Sequence, residues 1–412
     1  MKADMEVVYE RACGIDVHKN EIVVCLITGQ RKVETRKYGT LTKELRAMAA
    51  WLKEERCQMV AMESTGSYWK PLYNIFELEG IEAMIVNAYH MKAIPGRKTD
   101  VNDAQWIAKL LRHGLLKASY IPDKEQREYR ELTRYRNSRI EERAREINRL
   151  QKMLEGANIK LSSAVSDITG KSARDLIKLV IEHENITLEQ VDKARNYQCK
   201  SSAEELLESL RGVISPLQRE LFREVLRIIE EQTRQIERIE EMIQKYTTEA
   251  YDKAAKAIDV IPGIGRVSAE QIVAEIGIDM TQFPTAHHLC SWGGICPGDN
   301  ESAGKRKSGK TRKGNRTLRK TLIQSATSAI KNKNSFYSAQ YDRLAVRMGG
   351  KKATVAVAHS ILIAIYYILS GNEYRDLGAG YYTQFNKEKK IQSHLKQLQK
   401  LGWQAPCPAV AS

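Results

Sequence analysis

The stretch "RKTDVNDAQ", residues 97–105, sets Asp100 and Asp103 one helical turn apart, directly behind Arg97 and Lys98. Acids suit the positive end of a helix dipole, so a solvated helix start explains the spacing by itself. The same spacing also puts two oxygen ligands on one helix face, where a divalent cation can meet phosphate. Two further acids sit where an isolated charge is costly. Asp16 lies inside the apolar run of "CGIDVHKN", and Glu63 ends the run of "VAMESTG". If the four converge, they repel one another strongly without a cation. With one or two Mg2+ ions they form an oxygen-rich site that takes phosphate oxygens as further ligands, with Arg97 and Lys98 holding a nucleic-acid strand beside it.

The elements that must position these acids are legible. Residues 11–30 read as a hairpin, two β-branched runs flanking His18, Lys19 and Asn20, and residues 31–39 add a third strand. Leu41, Leu45, Met48 and Leu52 share one face of a helix over 41–55. A strand over 57–64, a helix over 68–80 ending in Gly80, a strand over 81–88 and a helix over 101–116 follow. This order predicts a mixed sheet with helices packed on it, in which strand ends and helix starts meet at one edge.

Residues 123–250 change character, being rich in Arg, Glu, Leu and Ile with almost no strand signal. Ile140, Ile147 and Leu154 recur every seven residues with Leu150 between the last two. Ile229, Ile236 and Ile243 do the same, interleaved with Ile239 and Tyr246. That is a coiled-coil seam, closed either within one chain or between chains. Ser215 and Pro216 open its second helix as cap and first residue, and Ser172 is expected to cap a helix between the two.

A third unit opens with "IDVIPGIGRVSAEQIVAEIG", an apolar stretch, a Gly-Ile-Gly turn and a helix from about Ser268, resembling a helix-hairpin-helix. There Gly263 and Gly265 either present backbone N–H groups to a phosphate or make a tight turn and nothing more. Beyond it, residues 301–352 carry fifteen Lys or Arg against two acids, in a chain of net charge +15. Charge so concentrated favours a nucleic-acid backbone over mere solubility. Lys305, Arg306, Lys307, Lys310, Arg312, Lys313, Arg316, Arg319 and Lys320 form this basic arm. The apolar run at 353–371 is short for a membrane span and carries His359 and Ser360, so it reads as a core helix and no membrane partner is expected. Seven cysteines without a CxxC pair read as reduced thiols, and together with a charged start they predict a cytoplasmic protein.

Strand-Asp, strand-Glu, then D-x-x-D on the last helix resembles the Holliday-junction resolvase branch of the RNase H-like (RuvC-like) fold. "GIDVHKN", "ESTGSYW" and "RKTDVNDA", with "IPGIG" and "WGGICPGDNESAGKRKSGKTRKGNRTLRK", resemble the insertion sequence 110 / 1111 family of transposases over almost the whole chain. The resemblance implies an α/β RNase H-like catalytic domain over residues 8–120. A helical coiled-coil region over 123–250, a mainly α C-terminal transposase domain over 251–381 and a tail over 382–412 follow. It implies a catalytic, metal-binding tetrad of Asp16, Glu63, Asp100 and Asp103, and a nucleophilic serine at Ser302. It further implies donor and target DNA as partners, a structured guide RNA that pairs with both, and a homo-oligomer, dimer or tetramer.

The residues alone are less committal about Ser302. A serine hydroxyl is a weak nucleophile until activated, and no histidine lies near it in sequence. Without the resemblance it reads as a loop serine in a DNA-binding arm, with Ser308 its neighbouring rival. Two rival functions stand beside recombination: a metal-dependent nuclease in which water attacks, and a non-catalytic nucleic-acid-binding protein that uses the basic arm alone.

Overall fold

The computed structural model describes residues 6–29, 32–64, 66–87, 103–197, 199–298, 301–302, 305–306, 310–384 and 387–403. The chain divides into two compact units, Met1–Pro122 and Asp123–Ser412.

The first unit runs β1 (Arg11–Val17), β2 (Ile22–Thr28), β3 (Lys32–Tyr38), α1 (Thr42–Glu54), β4 (Met59–Glu63), α2 (Trp69–Glu79), β5 (Ala83–Val86) and α3 (Asp103–Arg112). The sheet order is β3-β2-β1-β4-β5, with β1, β4 and β5 parallel and β2 and β3 antiparallel to their neighbours. β1 and β2 are central and buried on both faces, which is why they read as nearly unbroken apolar runs. β3 is one of the two edge strands, largely exposed, and its charged "KVETRKY" blunts that pairing edge. α1 and α2 cover one face, burying Leu45, Met48, Leu52, Leu72 and Phe76 against Cys13, Ile15 and Val17. Leu41, expected on that apolar face, is instead the extended N-cap residue that precedes the helix and is exposed. Gly80 ends α2 at φ 67°, the left-handed conformation that a helix terminus favours and Gly adopts without strain.

The second unit is helical. α4 (Lys124–Gly156) starts at Asp123, whose Oδ1 accepts from the Gln126 N–H at 2.7 Å. After α5 (Leu161–Ala164), α6 (Lys171–Glu182), α7 (Leu188–Ala194) and α8 (Ala203–Ser209), α9 (Pro216–Tyr246) begins with a Ser215–Gln218 capping box and Pro216 in its first turn. Tyr129, early in α4, shares a core with Ile239 and Ile243, late in α9. Leu150 and Leu154, late in α4, share another with Phe222, Val225 and Ile229, early in α9. The two helices therefore lie antiparallel, and the isoleucine seam closes within one chain. Ile229, Ile236, Ile239 and Ile243 are buried in it, whereas Tyr246 is exposed. Ser172 lies inside α6 rather than capping it. Gly170 holds the cap position, and the Ser172 hydroxyl accepts from the Asn196 N–H.

The remaining helices are α10 (Glu249–Asp259), α11 (Arg266–Ile276), α12 (Ala286–Trp292), α13 (Arg316–Lys331), α14 (Phe336–Met348), α15 (Gly350–Leu369), α16 (Tyr381–Gln384) and α17 (Lys387–Lys400). A two-stranded hairpin, β6 (Glu301–Ser302) and β7 (Lys305–Arg306), precedes α13. One core joins Tyr129, Ile239 and Ile243 to residues of α10, α11, α13 and α15, so residues on either side of position 250 pack together. α15 is long and apolar enough to cross a membrane, yet it buries Ala353, Val357, Ala358, Ile361, Leu362 and Ile365 in the interior of the unit.

Candidate active site

Side-chain alternation fixes where the acids of the first unit point. Cys13, Ile15 and Val17 face α1 and α2, so Ala12, Gly14 and Asp16 face the other way. On that second face Ala12 packs with Ala61, Ile107 and Leu111, and Val23, Cys25 and Ile27 pack with Ala104 and Ala108 of α3. In β4, Val60 and Met62 belong to the α1–α2 face and Ala61 to the α3 face, so Glu63 also lies on the α3 side. Ile15 is in register with Met62, and Asp16 and Glu63 are the next step along the same parallel pair. Both stand at the carboxyl end of their strands.

Gly14 brings in the third acid. A Cβ built there would lie 2.2 Å from the Ala104 carbonyl oxygen and 2.3 Å from the Ala108 nitrogen, so only glycine lets α3 lie this close to β1. The helix runs opposite to the strand. Ala104 and Ala108 sit at Gly14, and Ile107 and Leu111 at Ala12. Arg112 donates to the carbonyls of Glu10 and Gly29 at the far end. Asp103, the first residue of α3, therefore lies at the same end of the sheet as Asp16 and Glu63. Asp100, with Arg97 and Lys98, lies outside the described residues.

His18, a turn residue by sequence pattern, has a second role in the structure. Its Nε2 lies 3.0 Å from Asp16 Oδ2, and the Asp16 side chain is only 19% exposed. The D-x-H spacing is the signal for it, since residues two apart on an extended strand point to one side. No three His, Cys, Asp or Glu side chains among the described residues stand close enough to hold a metal ion. What Asp16, Glu63 and Asp103 share is one end of the sheet, and their carboxylate oxygens are of the class that suits a hard divalent cation.

The second unit presents Ser302 near the end of a β-hairpin. Gly298 N–H donates to the Lys310 carbonyl and Arg312 N–H to that of Cys296, with Pro297 bridged to Thr311. Further along, Glu301 is paired with Arg306 and Ser302 with Lys305 in an antiparallel ladder. Two cationic residues thus run along the strand facing the serine. At the hairpin's base, Gly294, at φ +71°, and Gly314 meet backbone to backbone, and a Cβ on Gly314 would fall 2.4 Å from the Gly294 nitrogen.

The basic arm separates into groups. Lys313 and Arg316 are exposed. Arg319 is not a free cation: its guanidinium donates to the Gly294 carbonyl and the Thr311 hydroxyl, holding the hairpin's base. Lys320 is ion-paired with Glu141 of α4. Lys310 and Arg312 stand on the returning strand, Lys305 and Arg306 form β7, and Lys307 lies outside the described residues, as does Ser308. The two glycines of "IPGIG" also differ. Gly263, at φ +87°, is pressed on α13, where a Cβ would meet the Ser325 carbonyl at 2.3 Å, so packing accounts for it. Gly265 caps α11 and has open space where a side chain would be.

Residues 13–159 match a family model described as a transposase, the DEDD transposase of IS110. Residues 255–342 match that of the transposase IS116/IS110/IS902 family. The chain is 30% identical over 147 residues to a curated protein of Sinorhizobium fredii (strain NBRC 101917 / NGR234) named for a transposase, y4pF/y4sB. That match takes in 34% of this chain and 37% of the relative. The first match carries an RNase H-like fold, in keeping with the mixed five-stranded sheet. The second falls on the helices and hairpin that hold Ser302. The chain belongs to the IS110 family of transposases.

Proposed function

We propose that this protein is a DNA recombinase of a mobile element that cuts and rejoins strands through a covalent link between Ser302 and DNA. The observation that supports the reading is the placement of Asp16 and Glu63 on the face of the sheet that α3 covers, at the end where Asp103 begins that helix. A protein that only bound nucleic acid would have no use for such a set. The first match rests on the same segment.

In this reading the Ser302 hydroxyl attacks a backbone phosphorus. The Oγ–P bond forms as a P–O bond to one deoxyribose breaks. The serine proton passes to a base and the departing sugar oxygen ends as a hydroxyl. A hydroxyl end then attacks the phosphoserine and returns the serine free, so no bond energy is lost between the steps. Asp16, Glu63, Asp103 and Asp100 would hold Mg2+, which supplies Lewis-acid stabilisation of the charged phosphorane when bound. His18 fixes the orientation of the Asp16 carboxylate. Lys305 and Arg306, across the ladder, offset charge at the phosphate.

The partners in this reading are donor and target DNA and a structured RNA that pairs with both. The assembly is a homo-oligomer, dimer or tetramer, working in the cytoplasm where the DNA lies. The concentrated basic arm and the open N-terminus of α11 at Gly265, in a helix-hairpin-helix-like turn, support the nucleic-acid part.

Asp16→Ala and Glu63→Ala test it. Each should abolish strand transfer while nucleic-acid binding and the circular-dichroism spectrum stay unchanged. Wild-type transfer by either variant removes the carboxylate site from the mechanism. Cutting without a trapped protein–DNA adduct would favour hydrolysis by water instead.

A further inference from the structure

Glu275, near the end of α11, is fully buried, yet it is a carboxylate. A buried charge is tolerated only where several donors satisfy it. Here they come from separate parts of the second unit. Arg134 of α4 grips it with two nearly parallel bonds, Nε to Oε1 at 2.6 Å and Nη2 to Oε2 at 2.7 Å. The bond raises the Arg134 pKa above its usual value. Gln271, one turn back on α11, donates at 3.3 Å. Asn315 donates too, its Nδ2 reaching Oε2 at 2.6 Å, and Nε of Arg130 on α4 is ion-paired with the same oxygen at 3.6 Å.

Asn315 is the residue where the hairpin that carries Ser302 returns to the body of the unit. Its Oδ1 accepts from the Leu318 N–H and so caps α13. Its own N–H donates to the Trp292 carbonyl, on the outgoing side of the hairpin. One side chain therefore caps a helix and ties the hairpin's base to a buried anion, which in turn is held by the long helix α4. Two further ties follow the same line. Arg130 of α4 donates to the carbonyls of Ala274 and Glu275, and Lys320 of α13 pairs with Glu141 of α4.

A buried ion pair is weak evidence for stability, because replacing one by hydrophobic side chains is often neutral or stabilising. What the carboxylate adds is direction. Its two oxygens take the bidentate grip of Arg134 and the bond from Asn315 together, which ties the base of the hairpin to α4. We propose that Glu275 and Asn315 are positioning residues that aim the Ser302 hairpin from the long helix α4. The proposal rests on Ser302 being the nucleophile for its functional meaning, and on the geometry alone for its structural one.

The test uses the full-length protein and two readouts. Asn315→Ser keeps a capping oxygen and drops the amide donor without adding charge. Asn315→Asp keeps the cap and sets a second carboxylate against Glu275. Pairing it with Glu275→Gln restores one donor–acceptor bond with its direction reversed. Hydrogen exchange read by mass spectrometry should rise about tenfold in peptides over residues 295–315 for both single variants at position 315, the scale of removing a hydrogen bond to a charged group. Exchange in α9 should stay unchanged, and Asn315→Asp combined with Glu275→Gln should fall back toward wild type. The second readout is adduct formation on duplex DNA carrying the sequences that flank the gene. It should drop in Asn315→Asp and recover in the double variant, while DNA binding holds throughout. Unchanged exchange in Asn315→Ser, or no recovery in a folded double variant, overturns the proposal. An adduct that survives Ser302→Ala would instead sink the nucleophile assignment and leave the exchange result standing.

Discussion

Gly14 of β1 lies so close to Ala104 of α3 that an added Cβ would fall 2.2 Å from the Ala104 carbonyl oxygen. The approach is backbone on backbone, so no side chain can bend away to make room. It sets the height of α3 over the sheet and therefore the distance from Asp103 to Asp16 and Glu63.

Gly14→Ala should destabilise the first unit by about 1–3 kcal/mol, the usual cost of forcing a methyl group into a packed site. Amides of α3 should exchange faster than those of β1, because the helix is what must move. Strand transfer should fall by more than the loss of folded protein accounts for. A variant with wild-type exchange in α3 would show that the helix tolerates the displacement and that Gly14 does not position Asp103.

The isoleucine seam makes a different kind of claim. Ile236 is buried between α9 and its neighbours within a single chain. Ile236→Ala should cost about 2–5 kcal/mol, as large-to-small core changes do. The resulting fall in Tm should be the same after a tenfold dilution of the protein. A loss that grows on dilution would mean that the seam is completed by a second chain, since only association makes stability depend on concentration.

Much of this is legible in the sequence, for reasons that can be named. The β1–β2 hairpin and the carboxylates ending β1 and β4 show because acids interrupt otherwise apolar runs. The isoleucine repeat shows because α9 buries apolar residues at a constant spacing. The buried face at the start of α4 does not show, because it carries Gln126, Thr133 and Arg136 beside Tyr129. A periodicity of apolar residues cannot register a polar face that is satisfied by a partner helix. Arg136 there is ion-paired with Glu270 of α11. Arg319 escapes a sequence reading for a related reason: a count of cations does not tell one that ends on a backbone carbonyl from one that faces solvent. The role of Gly14 is invisible because it depends on α3, ninety residues later in the chain.

The division of the basic arm can be measured by salt dependence. Lys313→Gln and Arg316→Gln together should lower the log–log slope of duplex-DNA binding by roughly 0.9 for each phosphate that is no longer neutralised. Arg319→Gln should leave that slope unchanged and instead speed exchange at the hairpin's base, where its guanidinium is held. An unchanged slope in the first variant would turn those two side chains away from phosphate. An equal fall in the Arg319 variant would return it to the nucleic-acid interface.

Ser302→Ala should still bind nucleic acid but form no covalent protein–DNA species, whereas Ser308→Ala should still form one. The chemistry asks for an oxygen nucleophile that can hold the phosphoryl group during exchange. It also asks for positive charge close to that group, and Lys305 is the ladder partner of Ser302, with Arg306 beside it. No histidine stands within ten residues of Ser302 in the sequence, and in the proposed reading the carboxylate site supplies its activation. If that site belongs to another copy of the chain, Ser302→Ala and Asp16→Ala should each be inactive alone and partly active when mixed, because each supplies what the other lacks. Labelled DNA on a denaturing gel, with and without protease, reads every arm of this test. A shifted, protease-sensitive band from the Ser302→Ala protein alone would end the assignment. A mixture that stays inactive, with both proteins binding DNA normally, would place the serine and the carboxylates in one chain.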